Sequence, residues 1–258
     1  VLKFETERGA NGSGSSLTDC LDLARLLTSP ESNRVETVAW VPAILERWRN
    51  PNQQGPSAAL TGHALLVAIA AEDLVLAASF QDCVLIDIVY KTVPDVEVVF
   101  LDTQYHFAET LWYVEQVKAR YGLNLHVVRP ERAPDDLWHN DPDACCRVRK
   151  VEPMRRALEG RAAWMSGLRR DEAPSRANTP LVTYDVSRGL VKINPIATWS
   201  DADIAGYVKD HDLPVHPLSD RGYDSIGCWP CTRPVGEGED ARAGRWAGMD
   251  KTECGLHG

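Results

Sequence analysis

Residues 74–103 read LVLAASFQDCVLIDIVYKTVPDVEVVFLDT, and this stretch decides the fold. Residues 74–79 and 96–101 are short apolar runs of the length expected for buried strands, the second rich in β-branched residues. Residues 82–91, which lie between them, have the pattern of a helix. A strand, a helix and a second strand in succession predict two parallel strands joined by a crossover helix.

The same alternation continues toward the C-terminus. Further helices and strands are predicted at residues 106–121, 125–128, 146–158, 162–166, 190–193 and 201–210. Gly122 ends the first of these helices, Pro153 is expected to kink the second, and Ser200 caps the third. The pattern predicts an α/β fold with a mostly parallel sheet flanked by helices, whose ligands bind at the carboxyl ends of the strands.

The two ends of the chain differ from this central part. Residues 7–16 are rich in Gly and Ser, and residues 17–27 and 35–48 have helical periodicity. Residues 236–244 are rich in Gly and charged side chains. We therefore expect three parts: a largely helical N-terminal extension over 1–60, an α/β domain over 61–235 and a mobile C-terminal tail over 236–258.

Composition limits the classes of function. The 258 residues carry a formal net charge of −9, which argues against general affinity for nucleic acid or an anionic membrane. No apolar run has the length of a membrane span, and the first residues lack the form of a signal peptide. These features predict a cytoplasmic protein in which any anionic ligand binds at a local basic site.

Four of the seven cysteines form two close pairs. Cys145 and Cys146 are adjacent, and Cys228 and Cys231 follow about 80 residues later. Four thiolates suit a soft metal centre, and without a secretory signal they indicate metal or catalysis more than disulfides. Two adjacent cysteines can reach two corners of an iron–sulfur cube more easily than two positions in the tetrahedral coordination of one zinc ion. Zinc, or four buried or disulfide-paired cysteines, are the alternatives.

The remaining cysteines lie in two different contexts. Cys20 and Cys83 are surrounded by apolar residues, which predicts packing in a core. Cys254 stands near the C-terminus in the sequence ECGLH over 253–257, after Lys251 and before a glycine. Such a thiol is expected to be accessible, and positive charge from Lys251, His257 or a basic pocket would lower its pKa. Taken alone, a cysteine near the C-terminus is more often an incidental surface thiol.

Polar residues at predicted loops suggest an anion site. Five arginines lie in loops or in the C-terminal segment: Arg169, Arg170, Arg176, Arg242 and Arg245. They are either solvated surface or a clamp for phosphate or sulfate, which guanidinium groups bind in bidentate fashion. Residues 79–82 form a strand-to-helix junction of the kind that binds phosphate, although Asp82 also fits a simple helix cap. Asp102, after the next strand, could bind ligand or cap a turn.

Together these motifs resemble the assimilatory adenylyl-sulfate reductases of the phosphoadenylyl-sulfate reductase family, from about residue 74 to the C-terminus. The similar segments are FLDT at 100–103, CCRVRKVEP at 145–153, WMSGLRR at 164–170, GYDSIGCWPCT at 222–232 and ECGLH at 253–257. The resemblance implies a Rossmann-like adenine nucleotide alpha-hydrolase fold and thioredoxin as the reductant. It also implies one [4Fe–4S] cluster bound by Cys145, Cys146, Cys228 and Cys231.

The resemblance further assigns roles to residues of the site. Cys254 would be the nucleophile that attacks adenosine 5′-phosphosulfate. Lys150, Arg176, Arg242 and Arg245 would contact the phosphosulfate and lie near the cluster. We further expect Ser79, Phe80, Gln81, Asp82, Asp102, Arg169, Arg170 and His257 to bind substrate. Residues 79–82 would be a modified phosphate loop, in which Gln81 stands where the family commonly has a small residue.

Other functions remain open at this point. Family members that carry the cluster cysteines generally use adenosine 5′-phosphosulfate, which favours that substrate over its 3′-phosphorylated form. The alternatives are a reductase of the 3′-phosphorylated nucleotide, a tRNA thiolase that adenylates its substrate on a similar fold, and a non-enzymatic redox or iron sensor. The acidic chain disfavours tRNA binding. The oligomeric state is left open, with a homo-oligomer as one option.

Overall fold

The computed structural model describes residues 74–91, 93–185 and 187–257. The helices expected over 17–27 and 35–48, and Cys20, lie outside these residues. The described part begins at the first strand of the α/β domain.

The centre of the fold is a six-stranded sheet. Its strands are β1 (Leu74–Ala77), β2 (Glu97–Leu101), β3 (Leu125–Val128), β4 (Ala163–Ser166), β5 (Val182–Asp185) and β6 (Leu190–Ile193). Their order across the sheet is β3-β2-β1-β4-β6-β5. Every neighbouring pair is parallel except β5 with β6. The prediction of a mostly parallel sheet is therefore confirmed, and β5 is an antiparallel edge strand that the sequence analysis missed.

Six α-helices connect or cover these strands in the described part. They are α1 (Val84–Tyr90), α2 (Ala108–Tyr121), α3 (Leu137–Asn140), α4 (Pro142–Cys146), α5 (Glu152–Ala157) and α6 (Asp201–Asp210). Gly122 adopts the left-handed conformation after α2, and the Ser200 side chain accepts a hydrogen bond from Asp203 N, as a cap of α6 should. No helix of the described residues is long and apolar enough to cross a membrane.

The helix predicted over 146–158 is divided into parts. The cysteine-bearing α4 passes through a π-helical turn, Arg147–Val151, into α5. Pro153 lies in the first turn of α5, where the missing backbone N–H costs least. The expected kink is thus an inserted wider turn just before the proline, a feature often found at functional sites.

Both faces of the sheet are buried, because successive strand residues point to opposite sides. Leu74 and Leu76 belong to a core beneath α1, α2 and α6. Val75 and Trp164 belong to a second core, on the face covered by α5. A sheet covered on both faces leaves only its strand ends available for a ligand site.

The strand order reverses direction between β1 and β4. From β1 the chain proceeds outward through β2 and β3, and then returns to place β4 on the other side of β1. The loops that follow these two strands therefore diverge, and a crevice opens between them at the carboxyl edge. In open α/β sheets this is the usual place for a ligand.

The last part of the chain lies across this edge. Cys228 forms an antiparallel bridge with His106, which follows β2. Thr232 forms another with Arg245, and the neighbouring Trp246 is buried. Residues beyond α6 are in this way held beside the loops that follow the strands.

Candidate active site

A cleft at the carboxyl edge of the sheet is lined by both apolar and charged residues. Leu76, Leu85, Phe100 and Ile196 are among the apolar residues that line it. The charged residues that line it are Asp82, Lys150, Glu172, Arg176, Arg242, Arg245 and Glu253. Four cations thus face three carboxylates, so the cleft is locally basic within an acidic chain.

The loop between β1 and α1 forms part of the cleft wall. Ser79, Gln81 and Asp82 line the cleft. Asp82 accepts a hydrogen bond from Val84 N at 3.0 Å, and the loss of hydration there raises the pKa of its carboxyl group. Asp82 therefore has the helix-capping contact that the sequence allowed, at a position beside the cleft.

Gln81 has a role that its residue type makes possible. Its side-chain oxygen accepts from Ile226 N at 3.0 Å, and its side-chain nitrogen donates to Asp224 O at 3.3 Å. A small residue could make neither bond. The glutamine thus ties the loop after β1 to the segment that leads into Cys228.

Arg176 and Arg242 converge on one carboxylate. Arg176 donates to both oxygens of Glu253 through Nε and Nη2, each at 2.7 Å, and it also pairs with Glu172. Arg242 Nη2 lies 3.5 Å from Glu253 Oε2 and donates to Thr252 O. Burial opposes ionisation of Glu253, but the hydrogen bonds from Arg176 hold its pKa below the ordinary value. Two guanidinium groups directed at one carboxylate form a site suited to an oxyanion.

Arg245 reaches the cleft past a glycine. Its guanidinium lies over the ring of Trp246, 4.6 Å from the centroid, and Nη1 donates to Ser225 Oγ at 3.1 Å. A Cβ atom on Gly227 would lie only 2.4 Å from Arg245 Nη2. Gly227 is therefore the residue that allows this guanidinium its position.

Lys150 lies between the cleft and the cysteines. It lines both the cleft and a smaller neighbouring cavity. Burial alone would lower its pKa, but the facing sulfurs of Cys228 and Cys254 raise it above the ordinary value. Lys150 is accordingly a fixed positive charge between the two groups of sulfur atoms.

The four paired cysteines line that smaller cavity together. Cys145 and Cys146 reach it from the end of α4, and Cys228 and Cys231 from the short turn at residues 229–231. Thr103 Oγ1 lies 3.2 Å from Cys228 Sγ. No three side chains of His, Cys, Asp or Glu within the described ranges form a group that could hold a single metal ion. The arrangement brings the four thiols to one cavity.

The environment of these thiols opposes free thiolates. Burial raises the pKa of Cys145, and it raises the pKa of both Cys146 and Cys231 to about 11. A negative charge on the Cys228 sulfur raises the pKa of each of these three thiols further. A positively charged iron core would reverse this balance, because metal binding stabilises the thiolate form. The residues therefore fit a cubane cluster better than four free thiols.

Cys254 lies at the cleft, beside Glu253, Leu256 and His257. Lys251 is engaged elsewhere, because it pairs with Asp143 near the start of α4. Burial, together with nearby cations of which Lys192 is the strongest, lowers the pKa of His257 well below its ordinary value. Of the charges expected beside Cys254, Lys251 is thus paired with Asp143, and the charged form of His257 is disfavoured. Lys150 is a cation that lines the same cleft as Cys254.

The comparison with known protein families can be set beside this geometry. A family model described as the phosphoadenosine phosphosulfate reductase domain matches residues 73–234. The chain belongs to this family. The matched residues include the four paired cysteines and Lys150, whereas Arg242, Arg245 and Cys254 lie beyond them.

Similar proteins agree with this family assignment. The adenosine 5′-phosphosulfate reductase of Mycobacteroides abscessus is 50% identical over 71% of this chain and 81% of its own length. Adenosine 5′-phosphosulfate reductase 1 of Bacillus subtilis is 49% identical over 72% of this chain and 84% of its own.

Solved structures confirm the predicted Rossmann-like fold. A crystal structure of phosphoadenylyl-sulfate reductase from Candida auris has a TM-score of 0.63 and 26% identity, and the match covers 87% of this chain and all of the other. Candida glabrata FMN adenylyltransferase matches 84% of this chain and 75% of its own with a TM-score of 0.54 and 15% identity, which shows a shared fold alone.

Four residues predicted to bind substrate in this family member do not line the cleft with their side chains. Phe80 has a positive φ of 57° and is buried edge-on against Phe100 at 5.3 Å. Asp102 pairs with Arg129 at 2.8 Å. Their backbone groups remain close to the strand ends.

Arg169 and Arg170 are the other two. Arg169 is buried and donates to Asp201 at 2.6 Å and to Trp199 O at 3.3 Å. Arg170 donates to Thr179 O at 2.9 Å. Both guanidinium groups brace loops beside the cleft, a use that loop position in the sequence does not distinguish from ligand binding.

Two carboxylates of the cleft were not singled out from the sequence. Glu253 stands within the ECGLH motif and Glu172 follows the adjacent arginines, yet neither received a role. The sequence did contain a sign of their role, because arginines that cluster in the loops of a folded protein need carboxylates as partners.

Proposed function

We propose that this chain is a thioredoxin-dependent reductase that converts adenosine 5′-phosphosulfate to sulfite and AMP. The observation that carries the proposal is the meeting of Cys254 with Lys150, Arg176, Arg242 and Arg245 at one cleft. A thiol nucleophile and a group of cations are what a sulfonucleotide requires. The names of the similar proteins support the same substrate.

The two kinds of lining residue suit the two parts of this substrate. The apolar residues, among them Leu85, Phe100 and Ile196, accommodate an adenine ring at the switch point of the sheet. The basic residues bind the phosphosulfate. Since Arg176 is paired with Glu253, the substrate's oxyanion competes with that carboxylate for the guanidinium group.

The first chemical step transfers the sulfo group to the enzyme. The Cys254 thiolate attacks the sulfur atom of the substrate, a new S–S bond forms, and the S–O bond to the phosphate breaks. AMP leaves with the electron pair, and Cys254 becomes S-sulfocysteine. Lys150 and the arginines stabilise the charge that develops on the bridging oxygen.

The second step requires a dithiol. A thioredoxin thiolate attacks Cys254 Sγ, and sulfite leaves with the electron pair of the S–S bond. The second thioredoxin thiol then displaces Cys254 from the mixed disulfide. Thioredoxin is oxidised to its disulfide, and the Cys254 thiolate is regenerated.

Cys145, Cys146, Cys228 and Cys231 would hold a [4Fe–4S] cluster. When bound, the cluster would supply a fixed charge distribution beside the cleft, since the dithiol provides the electrons. Lys150, which lines both cavities, would keep its positive charge between the cluster ligands and Cys254. The part of Lys150 in the reaction is to orient the sulfo group of the substrate and to balance the negative charge of that group.

The proposal includes the parts of the molecule. Residues 61–235 bind nucleotide and cluster, and residues 236–258 are a tail that opens to meet thioredoxin. Residues 1–60 form an N-terminal extension of undetermined role. We place the protein in the cytoplasm, where thioredoxin is available.

Substrate choice tests the proposal against its main alternative. We expect kcat/KM for adenosine 5′-phosphosulfate to be at least about tenfold higher than for the 3′-phosphorylated nucleotide, a difference that needs only about 1.4 kcal/mol. Steady-state sulfite release with thioredoxin measures both values. Equal or reversed values would favour a phosphoadenylyl-sulfate reductase, and AMP binding without sulfite release would favour a different reaction on the same fold.

A further inference from the structure

The residues just after Cys254 line the cleft and are held against the sheet by partners outside the arginine clamp. The His257 imidazole stacks flat on the Trp164 indole, with ring centroids 5.5 Å apart and an interplanar angle of 4°. Arg188 Nη2 donates to the carbonyl oxygen of Leu256 at 2.8 Å. The Leu256 side chain packs against the core on this face of the sheet.

The receiving residues are held by the sheet itself. Trp164 lies on β4 and is fully buried. Arg188 lies in the turn between β5 and β6, where it pairs with Asp185 at 2.7 Å and stands 5.7 Å from the centroid of the Trp164 ring. The contacts of Arg188 with Asp185 and with the Trp164 ring do not involve the tail, so the sheet itself builds this part of the receiving surface.

We propose that Trp164 and Arg188 form a dock for Leu256 and His257 that positions Cys254 over the cleft. The inference rests on the proposed role of Cys254 as nucleophile. Trp164 and Arg188 are positioning residues, since they act on the reaction through the tail.

The reach of the backbone explains how the dock acts. A residue spans at most about 3.6 Å, so fixing Leu256 confines the Cα of Cys254 to a distance of about 7 Å from it. Small displacements of a reacting group reduce rates strongly, by as much as about a hundredfold per ångström. A dock two residues from the nucleophile therefore determines whether the sulfur atom can attack.

The dock also differs in kind from the other anchor of the tail. Glu253 is held by Arg176, an ion pair for which the oxyanion of the substrate competes. Ring stacking and a hydrogen bond to a backbone carbonyl, by contrast, offer no place to a sulfate. When Arg176 releases Glu253 and binds the substrate, the dock still holds Leu256 and His257.

The test uses Arg188→Gln in the full chain, purified anaerobically with its iron. The matched control is Arg156→Gln, because Arg156 likewise pairs with one carboxylate, Glu131, and donates to one carbonyl, Arg129 O, neither of which belongs to the tail. Alkylation by iodoacetamide with peptide mapping measures how accessible Cys254 is. Sulfite release gives kcat and KM, and iron content and the thermal midpoint show whether each variant is folded.

For Arg188→Gln we expect alkylation of Cys254 to quicken several-fold and kcat to fall by roughly ten- to a hundredfold. We expect KM to stay within about twofold of wild type because the cleft is intact. Arg188→Lys should recover part of kcat, and Trp164→Phe, which keeps a stacking ring, should lose less than Trp164→Leu. The proposal is overturned if Arg188→Gln matches Arg156→Gln in either alkylation or kcat.

The two proposals fail in different ways. The alkylation experiment needs no substrate, so it reports on the dock whether or not the chain reduces a sulfonucleotide. If wild type releases no sulfite but Arg188→Gln still exposes Cys254, the proposed function is wrong while the contact between dock and tail stands.

Discussion

At the scale of single residues, the positions of the cations around the cleft depend on small neighbours. Arg245 is the clearest example, because its guanidinium occupies the space that a side chain at Gly227 would fill. Lys150 has its charge maintained by the sulfurs that it faces. Each cation is thus fixed by a neighbour of a particular size or charge.

Gly227→Ala is expected to weaken substrate turnover without unfolding the chain. The new Cβ would displace the far end of Arg245, which is flexible, and a charged hydrogen bond of about 1.5–3 kcal/mol would be lost. We predict a fall in kcat/KM of about ten- to a hundredfold, with iron content and thermal midpoint unchanged. Gly236→Ala is the matched control, since a Cβ there makes only an ordinary contact with Glu239. An unchanged kcat/KM in Gly227→Ala would show that Arg245 does not need this position.

Residue type alone identified the cysteines but could not assign every charged side chain. The spacing of Cys145, Cys146, Cys228 and Cys231 was enough to predict that they share a site, and they line one cavity. Arg169 has the same sequence signal as Arg176, yet its guanidinium group is buried against Asp201. Which partner a loop arginine meets depends on contacts between distant segments, which spacing does not encode.

At the scale of elements, the predicted strands and helices agree with the structure wherever the pattern was strong. Residues 125–128, 190–193 and 201–210 match β3, β6 and α6 at both ends. The antiparallel strand β5 was missed because its sequence, VTYD, contains one aliphatic residue and lacks the apolar run that marks the equally short β3 and β6. The π-helical turn before Pro153 was expected only as a kink, since a missing N–H shows where a helix must adjust and not how.

The segment after α6 is joined to α2 by a buried histidine whose neutral form is required. His216 Nδ1 accepts from Leu218 N at 3.1 Å, which leaves Nε2 to donate to Thr110 Oγ1 at 3.0 Å. Burial lowers the pKa of His216 to about 4. In the unfolded chain His216 has its ordinary pKa near 6.5. Between that pH and about 4, His216 therefore binds a proton in the unfolded chain but stays neutral in the folded chain.

The free energy of unfolding should therefore fall as the pH drops from about 6.5 toward 4, by up to about 1.4 kcal/mol for each unit of pKa difference. His216→Asn should be less stable at pH 7 but should lose this part of the acid dependence. Thr110→Val removes the hydrogen-bond partner and keeps the titrating group, so it should retain the dependence. Chemical denaturation at several pH values measures all three proteins, and equal slopes for wild type and His216→Asn would contradict the assignment.

At the scale of the whole molecule, the site is assembled from segments far apart in the chain. The turn after α4 supplies Lys150, the loop after β4 leads to Arg176, and the C-terminal segment supplies Arg242, Arg245 and Cys254. Pairing of Thr232 with Arg245 connects the second cysteine motif to that segment. The cysteine cavity is thereby built into the wall of the cleft, so loss of its contents should disturb the site.

The purified protein is expected to be brown and to contain about four irons per chain, because four thiolates bind one cubane. Cys228→Ala should lose both iron and sulfite release. Cys83→Ala is the control, since Cys83 is also a buried cysteine but belongs to the core of the sheet, and this variant should keep its iron. Iron analysis and the visible absorption spectrum measure how much cluster the wild type and each variant contain. A colourless protein with a single zinc ion would contradict the cluster assignment.

The most direct test of the central claim is intact mass measurement after incubation with adenosine 5′-phosphosulfate in the absence of thioredoxin. The account predicts an increase equal to one SO3 group, which proteolysis places on the peptide that contains Cys254 and which thioredoxin removes as sulfite. Cys254→Ser should keep its iron but form neither adduct nor sulfite, because a serine hydroxyl is hardly ionised at neutral pH. An adduct on Cys83, or sulfite release by Cys254→Ser, would contradict the account.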